Sequence, residues 1–174
     1  LLGVAQQATA CKCAQDPEAP PEGSEAAVVA DLEGSTVVFA GRVTGMQRRI
    51  RLFLGITRYR FLTRGDRELT EEEEDRIFSR RVRLKVEEAF KGTASREVVL
   101  YTGWGGGDCG YEFRRGSRYL VYANGSGDWL YTGICRATKG IEKAAGEIAI
   151  LREVAQPASP GAGDLRKARR KPAT

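Results

Sequence analysis

At 174 residues, 41% of them hydrophobic and 29% charged, the chain has the composition of one globular domain with tails, since a single core takes roughly 100–150 residues. No run is long and apolar enough to be read as a membrane-spanning helix. The formal charge of +5 is local: residues 155–174 hold five Lys or Arg against one Asp, and the basic run from Arg42 to Arg67 meets the acidic ELTEEEED at once. Opposite charges so close together cancel as a long-range field, so a nucleic-acid partner is not expected and the tail reads as disordered and solvated. The sequence contains no histidine, which removes Ser-His-Asp and Cys-His catalysis, HExxH zinc sites and every His-ligated metal. With no convincing catalytic carboxylate pair either, the chain is not read as an enzyme and no cofactor is expected.

Residues 1–10, LLGVAQQATA, are small, apolar or amide residues ending in Ala8-Thr9-Ala10. They match the end of a secretory signal peptide, whose cleavage site takes small residues at positions −3 and −1. Cleavage after Ala10 would make Cys11 the first residue of an extracellular or periplasmic protein. A lipoprotein signal is the lesser reading, because Ala8 stands where such signals carry a large apolar residue.

Four cysteines in an exported chain predict two disulfides, with three connectivities open. Residues i and i+2 of an extended segment face the same way, so Cys11 and Cys13 aim at one underlying layer and not at each other. They are expected to pair with Cys109 and Cys135, in one order or the other. A zinc site built from all four would call for two CxxC-like pairs, and the sequence has one CxC and two isolated cysteines.

After the Pro-rich DPEAPPEG the body alternates strand-like stretches with turn residues. STVVFAGRVTG (35–45) is β-branched and broken by glycines. RIRLFLGITRYRF (49–61) places Ile50, Leu52, Leu54 and Ile56 at every second position, the period of a half-buried strand. LTEEEEDRIFS (69–79) reads equally as a short helix, with Thr70 and Glu73 as a capping box, or as a solvated hairpin tip. RRVRLKVEEAFKG (80–92) alternates Val82, Leu84 and Val86 with cations, and REVVLYTG, SRYLVYANG and WLYTGIC add three more strands, all expected to pair antiparallel. In KGIEKAAGEIAILREVA, Ile141, Ala144, Ala145, Ile148 and Leu151 recur at helical spacing. A mainly β domain over residues 11–154, a five-stranded Greek-key barrel with a C-terminal amphipathic helix, accounts for the count.

Gly105, Gly107 and Gly110 formally spell GxGxxG, but a dinucleotide site requires a helix next. YEFRRGSRYLVYA follows instead and reads as turn and strand, so this stretch is taken as a loop around a disulfide cysteine.

The ordered series CKC at 11–13, VRLKVEEAFKG at 82–92, YTGWGGGDCGYEFRRGSRYLVYA at 101–123 and TGICRATKGIEKAAGEIAIL at 132–151 resembles the netrin-like domains. Within them it resembles the N-terminal domain of the tissue inhibitors of metalloproteinases, in a single-domain, bacterial form with a longer arm over residues 45–80. The resemblance implies an OB-type barrel with Cys11 bonded to Cys109 and Cys13 to Cys135. It further implies that a free Cys11 α-amine and carbonyl oxygen would chelate the catalytic zinc of a target metalloprotease. Lys12 would then enter the pocket beside that zinc, with Cys13, Ala14, Gly107 and Asp108 among the contacts. The family's inhibitors carry a small Thr or Ser where this chain has Lys12, which points to a target with an acidic or open pocket. The alternative is a non-inhibitory binding or cell-surface module, since fold does not fix function. A monomer is expected in either case.

Overall fold

The computed structural model describes residues 11, 13–14, 16–47, 79–93, 95–104 and 108–155. The strand expected over 49–61, nearly all of the helix or turn expected over 69–79, and the tail beyond residue 155 lie outside them. In chain order the elements are α1 (Glu25–Glu33), β1 (Val37–Met46), β2 (Arg80–Lys91), β3 (Glu97–Thr102), β4 (Arg118–Ser126), β5 (Trp129–Tyr131), β6 (Lys139–Gly140), a 3-10 turn (Ile141–Lys143) and α2 (Ala145–Val154).

The strands run β1-β2-β3-β5-β4 around the sheet, and β4 returns to pair with β1. This closes a five-stranded Greek-key barrel of OB type, as the strand count predicts, and closure leaves no long open edge. The pairings are antiparallel except one: β3 runs parallel to β5 at Tyr101 and Tyr131. An all-antiparallel set was expected, and the Greek-key path overrides it by bringing β5 alongside β3 in the same direction. The two-residue β6 pairs with β4 at Tyr119 and Leu120.

Period-two alternation divides the core into two layers. Val37, Phe39, Val43, Val82, Leu84, Val98, Leu100, Tyr119, Val121 and Ala123 point into the barrel and are joined there by Phe113. The intervening residues of β1 and β4, namely Val38, Ala40, Leu120 and Tyr122, point outward and are nonetheless buried. They are covered by Val28 of α1 and by Ala144, Ile148 and Leu151 at the start of and along α2. Residues 37–41 of β1 are therefore buried on both faces, which is why STVVFAGRVTG lacks the polar alternation of β2. Each such large apolar side chain gains roughly 1.5–3 kcal/mol from burial, so the helices are part of the core and not appendages to it.

Helix α1 was not anticipated. Its start is nonetheless encoded by Ser24, whose Oγ accepts from the Ala27 N–H at 3.2 Å, an N-cap that satisfies one of the open donors of the first turn. The C-terminal helix is shorter than its pattern: it begins at Ala145, because Lys139 and Gly140 are taken into the sheet by β4 and Ile141–Lys143 form a 3-10 turn.

Candidate functional site

Because β3 and β5 run parallel, both of their exit loops leave the same end of the barrel. The loop after β3 carries Cys109 and the loop after β5 carries Cys135. At that end Cys11 is bonded to Cys109 and Cys13 to Cys135, with Cα–Cα distances of 5.4 and 5.2 Å. This is the order implied by the resemblance, and it joins residues 98 and 122 positions apart. Gln47 and Ser79, where the chain leaves and re-enters the described residues, flank the first residues of β2, beside the end of β3. The N-terminal segment is thus tied across the rim where three other segments meet.

Both exit loops are held at their bases. After β3, Asp108 accepts from the backbone N–H of Trp104 at 2.6 Å and of Gly110 at 3.1 Å. The Arg80 guanidinium lies 5.7 Å from the centre of the Trp104 ring and donates to the Met46 sulfur at 3.3 Å. Past Cys109 the chain drops Phe113 into the barrel, where its ring meets Tyr111 and Tyr119 at 4.8 and 4.9 Å between centroids. After β5, Thr132 and Thr138 close the loop around Cys135: their hydroxyls are 2.8 Å apart and both reach the Tyr122 carbonyl oxygen.

The two loops are also joined to each other. Gly110 and Gly133 form an isolated antiparallel bridge, and Ile134 N–H donates to the Cys109 carbonyl at 2.9 Å. A Cβ on Gly110 would run into the Gly103 backbone, and one on Gly133 would meet the Cys109 carbonyl oxygen, so this approach needs glycine at both positions. Cys109 itself adopts φ +55°, a left-handed conformation uncommon for a non-glycine residue, which persists because the surroundings hold it.

Of the residues expected at the site, Cys11 is half-buried while Cys13, Ala14 and Asp108 are exposed. Lys12 and Gly107 lie outside the described residues. The Sγ atoms of Cys11, Cys109 and Cys135 fall within 4.8 Å of one another. All three belong to disulfides, and a disulfide sulfur is not the thiolate that binds zinc, so their proximity follows from the adjacent bridges and does not make a metal centre.

Sequence reasoning overlooked Ile134, which is 48% exposed and the one large apolar side chain so exposed among the described residues. It stands between the Gly133 bridge and Cys135, on the rim that carries the bridged Cys11 and Cys13. The signal was local, an apolar residue between a glycine and a cysteine in TGIC, but its exposure is a property of the folded rim, where Gly133 pairs with Gly110.

The site and barrel together define the class: a disulfide-tied OB-type Greek-key domain whose N-terminal segment forms part of an exposed rim. In comparison with known proteins, the sequence significantly matches no family model and no curated protein.

Proposed function

We propose that the chain is a secreted netrin-like domain, similar to the N-terminal domain of the tissue inhibitors of metalloproteinases, that blocks a zinc metalloprotease through Cys11. The observation that carries this reading is the tethering of residues 11 and 13 by two bridges to the two loops of one barrel end. A free α-amine at Cys11, made by cleavage after Ala10, and the Cys11 carbonyl oxygen would offer the protease zinc two ligands and displace its nucleophilic water. Ordering one backbone residue costs about 1–2 kcal/mol. A segment already fixed at Cys11 and Cys13 has lost that freedom before it meets its target, which favours binding. The rim offers Ile134 as an apolar contact and Asp108, with its loop, as a polar one.

Lys12 sets the specificity. An ammonium group buried without a counter-charge is costly, so the preferred protease has an acidic or open pocket beside its zinc. Mass spectrometry of the mature protein tests the first requirement: an unmodified Cys11 amine is needed, and an acetylated, lipidated or still-attached N-terminus refutes inhibition through it. Inhibition assays on a broad-specificity zinc protease test the second. K12T is expected to strengthen inhibition about tenfold, the equivalent of about 1.4 kcal/mol, and an unchanged constant removes the pocket from the account.

A further inference from the structure

The two bridges of the rim differ in exposure and lie close to one another. Cys13 and Cys135 are exposed, while Cys11 and Cys109 are half-buried. The Sγ atoms of Cys11, Cys109 and Cys135 fall within 4.8 Å of one another, so the outer bridge has one of its sulfurs beside both sulfurs of the inner bridge. An exposed disulfide is the more readily attacked by a thiolate. The loops of Cys109 and Cys135 are also held together without the N-terminal segment: Gly110 pairs with Gly133, and the Ile134 N–H donates to the Cys109 carbonyl at 2.9 Å.

The arm tied down by these bridges has little else to hold it. The described residues from Cys13 to Gly23 are all exposed. Their hydrogen bonds are local: Ala19 N–H donates to the Asp16 carbonyl at 3.1 Å, and Glu18 N–H to the Asp16 carboxylate at 2.9 Å. Among the described residues, one polar contact besides the disulfides links this arm to the barrel, Glu22 to Lys139 at 3.4 Å, and the Glu22 side chain is 91% exposed there. Loss of a bridge therefore acts differently on its two ends. The loops stay paired, whereas the arm regains the backbone freedom that tethering had removed.

We propose that the rim is a thiol–disulfide exchange site for a dithiol reductant, at which reduction of the outer bridge releases both N-terminal cysteines. A thiolate of the dithiol attacks the Cys13 sulfur and expels Cys135 as a thiolate. The second sulfur of the dithiol then closes on the first, so that the reductant leaves as its own disulfide and Cys13 takes up a proton. The Cys135 thiolate attacks the adjacent Cys109 sulfur, and the Cys11–Cys109 bond breaks with its electron pair on Cys11, which is protonated in turn. The dithiol has given up two electrons and two protons. The protein holds them as the Cys11 and Cys13 thiols and keeps a single Cys109–Cys135 bridge. Exchange runs this way because the new bond joins two loops already paired, while the arm is freed. Where the Cys11 amine serves as a zinc ligand, the reaction switches inhibition off; that consequence rests on the inhibitory reading, and the exchange itself does not.

The test treats the full chain with one equivalent of dithiothreitol at about pH 8, where thiols begin to ionise, traps free thiols with excess N-ethylmaleimide and maps the bonds by peptide mass spectrometry. Molecules with two thiols are expected to carry the label on Cys11 and Cys13 with a Cys109–Cys135 bond, and to outnumber those labelled on Cys13 and Cys135 by about tenfold or more. C13S and C11S read the same preference with no reductant. The first leaves Cys135 beside the Cys11–Cys109 bridge and the second leaves Cys109 beside the Cys13–Cys135 bridge. Both are expected to settle as Cys109–Cys135 with the remaining N-terminal cysteine free; if either variant folds poorly, the wild-type reaction carries the test. Against a zinc protease that the untreated chain blocks, the exchanged form is expected to inhibit at least about tenfold less. Labels on Cys13 and Cys135 with Cys11–Cys109 intact, a Cys11–Cys13 or Cys11–Cys135 bond, passage straight to four thiols, or no reduction at all overturns the proposal. Undiminished inhibition by the exchanged form overturns release of the arm. The bond map is read without a protease, so a Cys109–Cys135 map in a chain that inhibits neither before nor after treatment supports the exchange and removes only the inhibitory reading.

Discussion

Removing the Cys13–Cys135 bridge tests whether the two disulfides act as one device. Cys13 and Cys135 are both exposed, so C13S/C135S buries no new polar group and the cost is that of the cross-link itself. Alone, a bridge closing 122 residues would restrict the unfolded chain by about 4.9 kcal/mol in the chain-entropy account. With Cys11–Cys109 still closed, however, the loop released is only the path from Cys11 to Cys13 and from Cys109 to Cys135, about 28 residues in all, worth about 3.6 kcal/mol. The same residual loop governs C11S/C109S. Opening both bridges removes first the short constraint and then a full-length one, about 8.4 kcal/mol together, which exceeds the two single losses by about 1 kcal/mol. Urea titrations of the wild type, the two single-bridge variants and the double variant read these differences. A melting temperature about 10–15 °C lower is expected for each single-bridge variant. A single loss below about 1 kcal/mol, or a double loss no larger than the sum, would refute the nested-loop reasoning.

Three further outcomes follow from the packing. The Lys139 ammonium and Glu147 carboxylate form an ion pair with only 18% and 10% of their side chains exposed, so E147Q, which leaves the lysine only the exposed Glu22 as counter-charge, is expected to destabilise by about 2 kcal/mol in denaturant titration; K139M/E147L should cost less, because the two partly buried charges are removed together. Burial alone would lower the Lys139 pKa, but Glu147 and then Glu22 overcome it and hold the group above its usual value. Burial, then the Glu147 and Asp31 charges, also push the Tyr122 phenol far up. Both groups keep their protons in the folded state at pH values where the unfolded chain loses them, so stability holds below about pH 10 and falls as pH rises beyond it; a pH-stability curve flat through pH 11 would contradict this. G110A should lower the melting temperature by several degrees and weaken any inhibition by the rim, since its Cβ would collide with the Gly103 backbone and displace the loop of Cys109; melting and inhibition that both match wild type would show that the loop approach is not required.

Much of the barrel was legible because its strands are half-buried. Val82, Leu84 and Val86 alternate with cations, and a period of two on a barrel wall has one meaning. The helical repeat through Ala144, Ile148 and Leu151 was equally clear, while its start was misplaced by six residues because pairing of Lys139 and Gly140 with β4 is a tertiary event. Helix α1 escaped notice for a related reason: EAAVVADLE buries only Val28, so it lacks a broad apolar stripe, and its one clear mark was the Ser24 cap. At the candidate site, the CKC spacing, Asp108 and the partner cysteines could be named in advance. Ile134 and the role of Gly110 and Gly133 could not, since an exposed apolar residue or a close glycine pair is defined by what stands opposite it in space.

By itself the amino-acid sequence determined the class of fold, the exclusion of histidine chemistry and the set of cysteines available for bridging, because these depend on residue type and local period. Spacing alone left the order of the bridges open between two pairings. Only the tertiary structure decided what that order accomplishes. Parallel pairing of β3 with β5 sends two distant loops out at one end, so Cys11 and Cys13 are held there. That outcome is set by contacts between residues far apart in the chain, which no local pattern encodes.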